Sequence, residues 1–159
     1  MAKQPEPPQG TVGLTSFATL AVAFAIGAVL GYGLVVVSEA VNGTAPVVEW
    51  SAVVGLVVVA VVVGGLAWTT YRSVHRDRQR IPAQRGVNLL MLAKASSIAG
   101  AVVAGGYVGF ASHFLDNLDA FLPRERVLRS GCAAAAAVII VVCGLALERA
   151  CRVPIDTDE

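Results

Sequence analysis

The sequence predicts an all-α integral membrane protein with four transmembrane helices and both termini in the cytoplasm. Three observations carry that reading. First, 56% of the 159 residues are hydrophobic and only 14% are charged, against about 25% charged in an average soluble domain. Second, the charges fall in clusters separated by four long apolar runs. Third, the basic residues concentrate in alternate connections. A soluble core of this size would leave a large apolar patch in water, and so apolar a chain is not disordered. With 12 Lys+Arg against 11 Asp+Glu, there is no basic footprint for nucleic acid. Three cysteines without a C-x-x-C spacing fit neither a disulfide framework nor a zinc knuckle.

The elements follow from the gaps between charges. Residues 1–13 are a Pro-rich, unstructured cytoplasmic tail (Pro5, Pro7, Pro8) with a single base, Lys3. From Pro7 to Ser38 only Tyr32 is ionisable, and the first span is read at Leu14–Val37. That run exceeds the 7–15 residues of a signal-peptide core, so it reads as a retained helix. The second span is Trp50–Tyr71, with Trp50, Trp68 and Tyr71 placed as an interfacial belt. Its valines favour strands, but a membrane strand needs only about 9–11 residues of alternating polarity. Here the apolar character is continuous. The third span is Leu90–Leu115 and the fourth Ser130–Leu147. Each run is close to the roughly 20 apolar residues that cross a bilayer as a helix. Together they form a membrane domain over 14–153, followed by an acidic cytoplasmic tail at 154–159.

Orientation comes from the loops. The second connection holds Arg72, Arg76, Arg78, Arg80 and Arg85 against Asp77 alone, whereas the first has Glu39 and Glu49 and no base. The third balances Arg124, Arg126 and Arg129 with Asp116, Asp119 and Glu125. Basic loops stay cytoplasmic, which places both ends of the chain inside. The same arginines contact anionic lipid head groups or an acidic partner. Ile81-Pro82 ends the extension of helix two, and Pro123 opens the last helix. Asn42-Gly43-Thr44 fits both a glycosylation sequon and a turn.

Within the spans, small residues stand out. Gly27 and Gly31 form one G-x-x-x-G, and Gly105 and Gly109 another, while Ser96, Gly100 and Ala104 make a second small row on span three. Residues four apart share a face and let helix backbones approach closely. The rows serve packing within the monomer or a seam between copies. Lys94 is the one cation inside a span. It either snorkels to the interface or, with Ser96 and Ser97, forms an intramembrane polar site facing protein. No Asp or Glu falls inside the predicted spans, which argues against a self-sufficient proton-coupled transporter. His75 and His113 fall on opposite sides of the membrane and cannot share a metal. No catalytic residues, metal ligands or cofactor are assigned, and the chain is not expected to be an enzyme.

Three stretches carry a family resemblance: Leu92-Ala-Lys-Ala-Ser-Ser-Ile-Ala-Gly100-Ala, Gly105-Gly-Tyr-Val-Gly109 and Leu147-Glu-Arg-Ala-Cys-Arg-Val-Pro154. They resemble the uncharacterised actinobacterial membrane family named domain of unknown function 3180, with Lys94, Ser96, Gly100, Glu148, Cys151 and Arg152 matching its pattern. The resemblance implies four spans in a bacterial inner membrane and brings no activity with it. The expected role is a small non-catalytic, multi-pass inner-membrane protein, an accessory subunit packed against a larger membrane complex; the expected partners are membrane lipids and either a membrane protein or further copies of the chain. An oligomeric channel or transporter component with Lys94 on its pathway is the alternative.

Overall fold

The computed structural model describes residues 15–43, 49–75, 83–114 and 121–150. Four helices account for almost all of them: α1 (Phe17–Asn42), α2 (Trp50–His75), α3 (Ala83–Ser112) and α4 (Phe121–Ala150). All four are long and apolar enough to cross a membrane. The expected tails at 1–13 and 154–159, the Ile81-Pro82 stop, and Asp116 and Asp119 lie outside the described residues.

Every helix outruns its predicted span at one end or both. Charge-free length measures the hydrocarbon slab, whereas a helix continues until its backbone is stopped. With 26 residues at 1.5 Å each, α1 is about 39 Å long against a slab of roughly 30 Å. It starts where the Ser16 side chain accepts a hydrogen bond from the Ala18 N–H. It stops where Gly43 takes a left-handed φ of 68° and its N–H donates to the Glu39 carbonyl. That conformation is cheap only for glycine, so Asn42-Gly43 is a helix terminator. In α4, Pro123 sits in the first turn, where the missing N–H has no acceptor to serve, and the helix therefore begins well before Ser130.

The order in space is not the order in sequence. Helix α1 packs on α3, α3 on α4, and α4 on α2. Contacting pairs ascend together between α1 and α3 (Gly27 with Val102, Gly31 with Gly106), so these two run parallel. They run oppositely between α3 and α4, where Gly100 meets Ala137 and Gly144 meets Ser97. Gly64 beside Cys143 and Ala67 beside Leu147 make α2 parallel to α4. These directions are those of a chain that reverses at every connection.

Packing is inverted relative to a soluble protein. The buried positions are mostly small: Ala93, Ala104, Ala133 and Ala137 are almost fully enclosed, as are Ser97 and Ser130. Large apolar side chains such as Leu30, Leu34, Val58, Val61 and Trp68 are exposed. Lipid tails are as apolar as leucine, so helices gain nothing by hiding large residues from them. What they gain is close van der Waals contact.

The α1–α3 seam shows how close that contact is. A Cβ on Gly27 would lie 2.8 Å from the Val102 carbonyl carbon and closer still to its oxygen. The same clash arises at Gly31 (Gly106 carbonyl carbon, 2.7 Å), Gly105 (Phe24, 2.8 Å) and Gly109 (Ala28, 2.8 Å). Both G-x-x-x-G motifs thus meet within one chain. On α3 the row facing α4 is Ala93, Ser97, Gly100 and Ala104, so Ser97 rather than Ser96 belongs to it.

Gly109→Leu should destabilise the protein by at least ~3 kcal/mol, the upper end of overpacking penalties. Gly33 has no atom near its missing Cβ, and Gly33→Ala should instead gain up to about 1 kcal/mol of helix propensity. Thermal unfolding in mild detergent reads both, and a Gly109→Leu protein as stable as wild type would place this seam elsewhere.

Candidate functional site

Polar side chains gather at the two ends of the helix assembly. At one end the last turn of α4 presents Glu148, only 3% exposed. The Thr15 backbone N–H donates to Glu148 Oε1 at 2.8 Å, and the Thr15 hydroxyl donates to Oε2 at 2.7 Å. Thr15 directly precedes Ser16, the N-cap of α1. The first turn of α1 has no acidic residue of its own, so α4 supplies the anion that a helix N-terminus favours. A carboxylate is disfavoured at the C-terminus of its own helix, which leaves the donors of Thr15 as its compensation. Directly beneath lie Leu147, Ala93 and Ala67, a small apolar cluster joining α4, α3 and α2.

Sequence reasoning missed this clasp, and the expectation of spans free of carboxylates is corrected by it. The apolar run ends at Leu147, but α4 does not, and the next residue is enclosed by neighbouring helices. A Thr-Ser pair ahead of an apolar run marks a helix start. That the acid opposite it comes from the far end of the chain is a tertiary fact.

The trio Lys94, Ser96 and Ser97 does not form one site. Consecutive helical residues point about 100° apart, and here they serve three surroundings. Ser97 is fully buried against Gly144 of α4 and donates to the Ala93 carbonyl at 2.9 Å, one turn back in its own helix. Ser96 lines an open, apolar groove of about 320 Å³ with Ala99 and Val103 of α3, Leu56 and Val59 of α2 and Ile140 of α4. Lys94 is partly buried. Gly100 meets Val141, Ala137 and Ile140 of α4.

At the opposite end, His113 Nε2 lies 3.2 Å from Glu39 Oε2, which ties the end of α3 to the end of α1. The ring of His113 stands edge-on to Tyr32 and to Phe114, over a cluster of Val35, Phe110 and Phe114. Arg126 of α4 lies over the Phe114 ring at 5.4 Å, and Arg129 over the Trp50 ring at 5.7 Å. Arg129 also pairs with Glu125 one turn earlier. Cation–π contacts of this kind contribute roughly 0.5–2 kcal/mol, more where water is excluded. They link α4 to α3 and to α2 in turn.

Of the basic cluster, Arg72 is exposed near the end of α2. Arg76, Arg78 and Arg80 lie outside the described residues, as does the side chain of Arg85. Among the described residues no group of three His, Cys, Asp or Glu comes together to hold a metal ion.

Thr15→Val removes the hydroxyl donor and should cost about 1.5–3 kcal/mol, the range for a hydrogen bond to a charged group. Thr15→Ser should retain nearly all the stability. Unfolding in detergent distinguishes them; equal stability of Val and Ser variants would mean that the clasp is not formed.

A family model described as protein of unknown function, DUF3180, matches residues 20–155. No curated protein and no solved structure matches the chain.

Proposed function

The chain belongs to the DUF3180 family, and from that premise we propose a structural, non-catalytic protein of a bacterial inner membrane. It crosses the bilayer four times with both termini in the cytoplasm, and it serves as an accessory subunit against a larger membrane complex. The observation that carries this reading is the inverted packing. Small residues are spent on internal seams, while large apolar side chains on α1 and α2 face outward along their whole length. The polar groups at either end engage one another across helices (Thr15 with Glu148, Glu39 with His113) rather than converging on a cavity. Such a body has much apolar surface to offer lipid and neighbouring helices.

The orientation rests on basic residues. Lys3, the arginines from Arg72 to Arg85, Arg149 and Arg152 would all lie inside, against Arg124, Arg126 and Arg129 outside. The Glu148 end is then cytoplasmic and the His113 end external. Arg72, Arg76, Arg78, Arg80 and Arg85 would meet anionic head groups, each contributing about 1 kcal/mol of attraction.

Two measurements test the proposal. In a variant with Cys151 as its sole cysteine, a membrane-impermeant thiol reagent outside intact cells should leave it unmodified, and labelling should require permeabilisation. External labelling would reverse the topology. Affinity purification in mild detergent after cross-linking, followed by native mass analysis, should return a complex with a second membrane protein. A pure homo-oligomer would transfer support to the channel reading, and a lone monomer would remove the accessory role.

A further inference from the structure

Helices α2 and α3 both pack on α4 but hardly touch each other. The space left between them is the open groove of about 320 Å³. Leu56 and Val59 of α2 form one wall, and Ala95, Ala99 and Val103 of α3 form the other. Ile140 of α4, only 4% exposed, lies on the floor. Val59, Ala95 and Ala99 are exposed, so the mouth opens sideways, away from the bundle. Ser96 is the one lining residue with a polar side chain. A lining of this kind selects by shape and excludes charged or strongly polar occupants.

The dimensions say which apolar occupant fits. From Ala95 to Val103 is eight residues, about 12 Å of helix axis. Spread over about 12 Å of axis, the 320 Å³ amounts to a section of about 27 Å². A helix 10–12 Å across has a section of roughly 80–110 Å², too wide to seat there. A single polymethylene chain fits on both measures. At about 30 Å³ for a water-sized group, the groove holds about ten methylenes. On bonds of about 1.5 Å, ten methylenes in zigzag reach about 13 Å. Volume and length specify the same object.

Its place along the bundle agrees. Ser97 beside the groove meets Gly144, and just beyond, Ala93 clusters with Leu147 and Ala67. Leu66 packs on that cluster, which ends the groove on the side of Glu148. The groove therefore runs from the middle of α3 towards the Glu148 end, within the depth of one leaflet's hydrocarbon tails.

We propose that the α2–α3 groove seats one acyl tail of a bilayer phospholipid, a structural lipid that supplies the contact α2 and α3 do not make with each other. Helix α2 is otherwise held by α4, and a seated tail gives it a second flank. The tail belongs to the leaflet at the Glu148 end, the cytoplasmic one on the topology proposed above. The seat itself needs neither that orientation nor the accessory role: a reversed Cys151 result would change the name of the leaflet and leave the groove as it is.

Photolabelling tests it. Purified full-length protein is placed in vesicles of phosphatidylglycerol carrying a photoreactive diazirine in the middle of one tail. Labels should concentrate on Leu56, Val59, Ala99 and Val103, and Ala99→Phe, which fills the groove from an exposed position, should reduce them about tenfold by direct overlap. Ala99→Leu should do the same severalfold. Val58→Phe, on the exposed outer side of α2, should leave the pattern unchanged. In mild detergent, native mass analysis should find one phospholipid retained per wild-type chain and none on Ala99→Phe. After delipidation, added phosphatidylglycerol should raise the thermal stability of wild type but not of Ala99→Phe. Labels spread evenly over Leu30, Leu34 and Val61, or labelling of the groove indifferent to Ala99→Phe, would overturn the seat. So would cross-linking of a second protein, in place of lipid, to a photoreactive residue at position 99.

Discussion

Everything in this molecule depends on how near two helix backbones can come. In water, helices are driven together by hiding apolar surface; in lipid that drive is absent, and dispersion, dipoles and weak C–H···O contacts remain. All of these fall off steeply with distance. At Gly27, Gly31, Gly105 and Gly109 the chain removes the one atom that keeps backbones apart, and the hydrogen left in its place points at a carbonyl oxygen of the opposite helix. The four positions alternate between α1 and α3, so each backbone is both guest and host. One bulky side chain anywhere along the row separates the helices over more than one turn. The α3–α4 contact solves the same problem with Ala93, Ser97, Gly100 and Gly144.

Close seams of this kind are slippery, because alanine and glycine present few features to fix register. The ends supply what the seams lack. Glu39 with His113 fixes α1 against α3 at one end, and Glu148 with Thr15 fixes α1 against α4 at the other. Arg126 on Phe114 and Arg129 on Trp50 connect α4 to the two helices it separates. A hydrogen bond to a carboxylate is directional and short. A slip of one residue, about 1.5 Å, would break it. Register is therefore encoded at the rims and affinity along the middle.

This division explains what could be read from the sequence. The number of helices and their approximate places were legible, because apolar length is a property of each segment alone. So were the glycine pairs, whose spacing of four is visible in any one helix. That Gly27 finds Val102 and not a second copy was not legible: the motif states that a backbone will come close, not whose. Glu148 was overlooked because a charge-free run was taken as the limit of the span, and the helix runs past it to Ala150. Ser96 was grouped with Ser97 because they are adjacent in sequence, although a helix turns adjacent residues to different neighbours. His113 was read only as standing on the opposite side of the membrane from His75, because its carboxylate partner lies 74 positions away in the chain.

The three stretches that carry the family resemblance acquire a common meaning from these contacts. Leu92–Ala101 contains Ala93, Ser97 and Gly100, which meet α4. Gly105–Gly109 is the α3 half of the seam with α1. Leu147 and Glu148 begin the third stretch and bring α4 to α3 and to the start of α1. Through its described residues, each of the three holds one helix to another. What these stretches share in this chain is therefore a way of joining helices at close distance. The surface that these joined helices present is the broad apolar one of α1 and α2.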